Sequence, residues 1–167
     1  MTKNVITTTK AQHRDLQKAA LETLPVFDET DTLAVTLTMK QSVFIDFYFH
    51  RLDDIKAQKN LRHFINLLSR EVFKNAHRRK HKTIQIIPSL QFSPEERLHY
   101  HALIRVPPGV DRDTFKQLIR EFWLKTYFAD YQIDIQDAYD VTRFASYMTR
   151  DARDPNIDWT NLHIADA

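Results

Sequence analysis

The sequence predicts an α+β fold of the split β-α-β kind. An antiparallel sheet carries helices on one face and leaves the other face for function. Three observations lead there. Period-two apolar runs and period-3.6 stretches follow one another in the order β-α-β-β-α-β, with a last helix behind them. The turn Ser93-Pro94-Glu95-Glu96 is short enough to make a hairpin of the second and third strands. With 167 residues, 43% of them hydrophobic, the chain can bury one full core but not two comfortable ones.

The elements follow in order. Residues 1–29 are polar, with a weak helical pattern at Leu16, Ala20 and Leu24, and read as an N-terminal arm or peripheral helix. After the polar break Asp28-Glu29-Thr30-Asp31, Leu33, Val35 and Leu37 alternate with Ala34, Thr36 and Thr38 in strand one. Val43 to Phe49 is apolar nearly throughout and fits strand, loop or helix start. From about Asp54 to Lys74, Leu61, Phe64, Ile65, Leu68 and Val72 share one helix face. His77-Arg78-Arg79-Lys80-His81-Lys82 is a basic connection. Strand two runs from Ile84 to about Phe92, and strand three from His99 to Val106, where Pro107-Pro108-Gly109 stops it. A helix over about 113–127 aligns Phe115, Leu118, Ile119 and Phe122, with Phe122 and Trp123 in or near the core. Tyr131, Ile133 and Ile135 alternate in strand four, and Asp140 is placed to cap a last helix with Val141, Phe144, Ala145 and Met148 inward. Right-handed crossovers set strands one and three side by side in the sheet centre. Residues 30–152 form the functional domain and 153–167 a C-terminal tail.

Composition excludes several chemistries. There is no cysteine, hence no thiol catalysis, disulfide or cysteine-ligated zinc. Gly109 is the only glycine, which argues against phosphate-cradling loops and dinucleotide fingerprints. Net charge is +2, with eight histidines and a pI near 8.8 that leave room for a local basic face. Met1-Thr2-Lys3-Asn4 has no apolar run behind it, and no stretch reaches the roughly 18 apolar residues of a membrane span. A cytoplasmic protein without membrane contact is expected.

The run His99-Tyr100-His101-Ala102-Leu103-Ile104 carries the most chemistry. Side chains alternate along a strand, so His99 and His101 face the same way and offer half of a divalent-metal site. Gln91, near the end of strand two, can lie close to either across the hairpin, and its amide oxygen is a competent ligand. Glu95 and Glu96 are stronger ligands by charge but sit in the turn. Tyr147, on the last helix, is the candidate nucleophile. Arg143 and Arg150 lie about one turn to either side, where two cations favour a phenolate and can hold a phosphate. Tyr131 and Tyr139 are rivals, but neither has a basic residue at helical spacing within a motif of this kind.

These residues resemble the single-tyrosine HUH endonucleases, the replication initiators of rolling-circle plasmids, phages and other mobile elements. Three motifs carry the resemblance over about residues 31–151. They are Leu33-Ala34-Val35-Thr36-Leu37-Thr38, His99-Tyr100-His101 with its apolar continuation, and Tyr147-Met148-Thr149-Arg150. Gln91 falls where such proteins often place a third ligand. Two positions depart from the pattern: Arg150 stands for the usual Lys, and Gln91 for a more usual carboxylate.

The resemblance implies a metal-dependent nicking and joining of single-stranded DNA at an origin or hairpin. His99, His101 and Gln91 would hold Mg²⁺ or Mn²⁺. Tyr147 would form a 5′-phosphotyrosine link, and Arg150 or Arg143 would offset developing charge. Arg78, Arg79, Lys80 and Lys82 would contact DNA phosphates. A host helicase and polymerase would supply unwinding and synthesis. Two alternatives share the architecture: an RRM-like module that stacks bases on sheet aromatics, and a degenerate HUH domain that binds without cutting.

Overall fold

The structure, a computed structural model, describes residues 27–91, 98–148 and 157–164 together with positions 15 and 22, the side chains of 146–148 excepted. The elements are β1 (Thr32–Met39), β2 (Ser42–Ile45), β3 (Tyr48–Arg51), α1 (Asp54–Phe73), α2 (Asn75–Lys80), β4 (Ile86–Gln91), β5 (His99–Arg105), α3 (Arg112–Leu124), β6 (Ala129–Asp137) and α4 (Val141–Met148), with a 3-10 turn at Trp159–Asn161. Four strands form one antiparallel sheet ordered β4-β5-β1-β6. The expected α+β architecture is observed, with β1 and β5 in the centre.

Local chemistry starts each main helix. Asp53 accepts from the backbone N–H of Lys56 at 2.8 Å, Asp111 from that of Thr114 at 2.9 Å, and Asp140 from that of Arg143 at 2.7 Å. Each carboxylate satisfies a donor that the helix leaves unpaired and complements the positive end of its dipole. Gly109, at φ +80°, completes the turn that ends β5, in which Val110 N–H donates to the Pro107 carbonyl.

One sheet face is apolar along its whole length. Leu33, Val35, Leu37, Met39, Tyr100, Ala102 and Ile104 are buried there against α1 and α3. Phe64 of α1 meets Trp123 of α3 edge-on at 5.5 Å, and the indole N–H donates to the Thr38 carbonyl. The opposite face is divided. Near the start of β1, Ile87, Leu103 and Ala138 pack with Phe27 and with Val141 and Ala145 of α4. Beyond them the face turns polar.

Three segments differ from the sequence expectation. Residues 42–51 form a hairpin, β2 and β3, across a turn in which Asp46 and Phe47 both have positive φ, 49° and 66°. Such turns are usually announced by Asn-Gly or Asp-Gly; without glycine the signal is missing. The basic connection is the short helix α2, stacked on the end of α1. Residues 157–164 are no loose tail. Ile157 bridges to Ser89 and His163 to Ile86 along the outer edge of β4. The fully buried Tyr100 hydroxyl donates to Asp158 at 2.9 Å, which fixes that segment to the sheet.

Candidate active site

Strand register builds the site. His101 pairs with Thr36 on one side and Ser89 on the other, and Thr36 in turn faces Asp134. One step along, His99 stands between Thr38 and Gln91. Directly opposed residues of an antiparallel pair share a face with Cβ atoms about 5 Å apart. Ser89, His101, Thr36 and Asp134 therefore form one row across the polar face, and Gln91, His99 and Thr38 the next.

The imidazoles converge within these rows. The two Nε2 atoms are 3.1 Å apart and the rings meet edge to face at 4.8 Å. His101 Nδ1 bonds the Thr36 hydroxyl at 3.1 Å. Both histidines are more than nine-tenths buried. Burial pushes the His101 pKa down to about 4, and His99 beside it adds to the fall. The ring is thus neutral at ordinary pH, the form in which a nitrogen lone pair can bind a cation. Two imidazole nitrogens at this separation fit neighbouring positions around one divalent ion, whose ligands lie about 2.1 Å away. If His101 Nδ1 carries the proton and donates to Thr36, Nε2 is left as the ligand atom. Among the described residues no third His, Cys, Asp or Glu gathers with the pair. Gln91 is the added oxygen donor that the register supplies.

α4 crosses the same face. The Phe144 ring lies 6.1 Å from that of His101, edge to face. Residue 147 follows Phe144 by three positions in the helix, so its backbone is about one turn further along. Arg143, Phe144, Tyr139, Asp134, Gln136 and Thr36 line a cavity of about 300 Å³ beside the His pair. Arg143 thus joins the site, through a wall it shares with Thr36. Glu95, Glu96 and Arg150 lie outside the described residues.

The four basic candidates fall elsewhere. Arg78, Arg79 and Lys80 belong to α2, which packs on α1 on the other side of the sheet. Lys82 stacks on Phe73 at 5.1 Å. Ile86, where β4 begins, pairs with Ile104, three residues or about 10 Å along β5 from His101. Charge pattern alone could not say on which side of the sheet these cations would lie. Sequence reasoning also gave no role to Thr36 as the partner of His101, to Phe144 over that ring, or to Asp134. Each becomes visible only once the β1–β5 and β1–β6 registers are known. No protein-family model, curated protein or solved structure matches the chain.

Proposed function

We propose that this protein nicks and rejoins single-stranded DNA through a phosphotyrosine intermediate, in the manner of the HUH endonucleases it resembles, and so initiates rolling-circle replication or mobilisation of a genetic element. One observation carries the reading: two buried imidazoles converge on the polar face of a four-stranded antiparallel sheet, and the helix bearing Tyr147 crosses that face with its Phe144 ring on His101. Mg²⁺ or Mn²⁺ held by His99, His101 and Gln91 would polarise a phosphate oxygen as a Lewis acid. The Thr36 hydroxyl holds the His101 ring in its orientation. Arg143, at the cavity wall, offers a guanidinium to a phosphate.

The Tyr147 oxygen forms the new bond to phosphorus while the bond from phosphorus to the 3′ oxygen breaks. The phenolic proton ends on that departing 3′-OH. Attack by a 3′-OH reverses the step, and the retained ester energy makes ATP unnecessary. A base-stacking module would need aromatics at the central positions of this face. The structure has Thr36, Thr38, His99 and His101 there.

The test is a denaturing gel of the protein with a diverse pool of single-stranded oligonucleotides, in Mn²⁺ or EDTA. A metal-dependent covalent adduct that disappears in Tyr147→Phe is the expected result. An adduct that persists in Tyr147→Phe removes the nucleophile assignment. Tight binding across the pool without any adduct favours the non-cutting reading.

A further inference from the structure

The hairpin of β2 and β3 holds a set of large aromatic residues in water. Phe44, Phe47, Tyr48 and Phe49 are between 65% and 91% exposed. Side chains of this size carry about 200 Å² each, so about 600 Å² of ring surface is open at one site. That is the upper end of the apolar patch found on a typical monomer, and such patches mark contact surfaces. A two-stranded hairpin is also marginal in water unless one of its faces packs on something.

The two faces of the hairpin are unlike. Strand period puts Val43, Ile45 and His50 on one face, and these are half-buried. Ser42, Phe44, Phe49 and Arg51 share the other, and all four are exposed. In the middle of that open face Phe44 stands directly opposite Phe49, with the rings edge to face at 6.0 Å. Asp46 lies two residues toward the turn from Phe44, and Arg51 two residues toward the base from Phe49. Among the described residues neither has an ion-pair partner. With histidine neutral, these are the only charges in residues 42–51, and they cancel.

We infer that the open face of this hairpin is the contact surface of a homodimer. It packs on the same face of a second copy of this chain, with the two hairpins antiparallel about a two-fold axis. The charge pattern chooses this occupant. A face with no net charge and an acid at its tip offers little to a phosphate backbone or an anionic membrane, both of which attract clustered cations. It is instead complementary to itself. With the Phe44–Phe49 pair on the axis, Arg51 lies about 7 Å to one side, level with Asp46 of the second copy, and the symmetry makes that contact twice. The aromatic rings supply about three-quarters of the roughly 800 Å² that each partner buries in a standard interface. An interface of that size, apolar at its centre with an ion pair at either end, fits a reversible dimer with a micromolar dissociation constant. The hairpin leaves the sheet beyond Met39, at the end of β1 where Thr38 faces His99, so association would bring the same ends of two sheets together. The inference needs neither the metal nor the cleavage proposed above.

The experiment is sedimentation equilibrium of the full chain from about 1 µM to about 500 µM. The weight-average mass should rise from 19.9 kDa toward twice that value. Phe44→Thr/Phe49→Thr keeps strand-forming residues at two exposed positions and should weaken association about 100-fold. Asp46→Lys and Arg51→Glu should each weaken it about tenfold, since each sets like charges against one another. An equimolar mixture of those two variants should associate as wild type does, because every cation then meets an acid across the axis. Amide exchange of β1 and β5 should match wild type in each variant, which controls for folding. A chain that stays at 19.9 kDa across the range overturns the inference. A dimer that Phe44→Thr/Phe49→Thr leaves intact also overturns it, because the contact then lies elsewhere. A mixture that associates no better than either variant alone overturns the antiparallel arrangement. Hairpin-dependent binding of oligo-dT or of phosphatidylserine vesicles by a chain that remains monomeric overturns the choice of occupant, in favour of nucleic acid or a membrane.

Discussion

Thr36→Val isolates the one hydrogen bond that orients the histidine pair. The substitution exchanges a hydroxyl for a methyl at nearly constant shape and keeps a β-branched residue in a central strand, so the sheet should tolerate it. What it removes is the 3.1 Å contact between the Thr36 hydroxyl and His101 Nδ1. That bond holds the ring rotation that brings Nε2 to 3.1 Å from its counterpart on His99, and with Nδ1 as the donor it leaves the Nε2 lone pair to bind a cation. A neutral hydrogen bond of this kind contributes about 1 kcal/mol, which is about fivefold in a binding constant. Partners that fix metal-binding imidazoles are worth about 10- to 100-fold when the tautomer is also lost. Mn²⁺ affinity of Thr36→Val, read by calorimetry or by the loss of free-Mn²⁺ paramagnetic resonance, should therefore fall by about 5- to 100-fold. Thr36→Ser should recover most of it, and the urea midpoint of Thr36→Val, measured without metal, should report separately the loss of about 1 kcal/mol of stability. If Thr36→Val binds Mn²⁺ as wild type does while His101→Ala does not, the hydroxyl has no orienting role and the argument from register to site is refuted.

Other consequences of the structure can be measured directly. Tyr100→Phe removes a buried donor to the Asp158 carboxylate; urea unfolding should show a loss of about 1.5–3 kcal/mol, the range for hydrogen bonds to charged groups. Amides of residues 157–164 should then exchange faster, and unchanged exchange would show that this bond does not hold the segment. Trp123→Ala empties the contact between α1 and α3 and should cost about 3–5 kcal/mol by the same measurement. In EDTA, the buried neutral His101 makes stability depend on acid. As pH falls below the unfolded value near 6.5, the unfolded chain takes up a proton that the native ring resists until about pH 4. Stability is therefore fully present above about pH 6.5 and declines toward pH 4, by up to about 1.4 kcal/mol per unit from this group. A variant with His101→Gln should show a flatter profile over that window, and an identical profile would show that the ring is not held neutral.

The α+β arrangement, one antiparallel sheet with helices packed on it, was legible because period and punctuation agreed. The β1 alternation, the stripes of α1 and α3, and the turn after β4 each point to the same arrangement. The shared face of His99 and His101 followed from strand period alone. The partners of that pair were not legible, because Thr36 lies 65 residues from His101 in the chain and only the β1–β5 register brings them together. The hairpin at 42–51 went unassigned because its turn is made by Asp46 and Phe47 in conformations usually given to Asn and Gly. The C-terminal segment read as a tail because an isolated Ile157 and a buried Asp158 have no periodicity; their places are defined by β4 and by Tyr100.

The division of the sheet's second face has a consequence for the proposed chemistry. The same strands that carry His99 and His101 continue into Leu103 and Ile87, which pack under Val141 and Ala145 of α4. The position of α4 relative to the imidazoles is therefore fixed by a small apolar cluster and by the Asp140 cap, and no hydrophobic contact along the whole helix is needed. A nucleophile carried by that helix would be placed by the packing of its first five residues, Val141 to Ala145. Ala145→Gly tests this division. It leaves the histidines, Thr36 and Tyr147 untouched, yet removes a buried methyl and weakens the helix by about 1 kcal/mol. Mn²⁺ affinity should stay at the wild-type value while the rate of adduct formation falls. Equal losses in both would mean that α4 positions the histidines as well, and that the two halves of the face do not act separately.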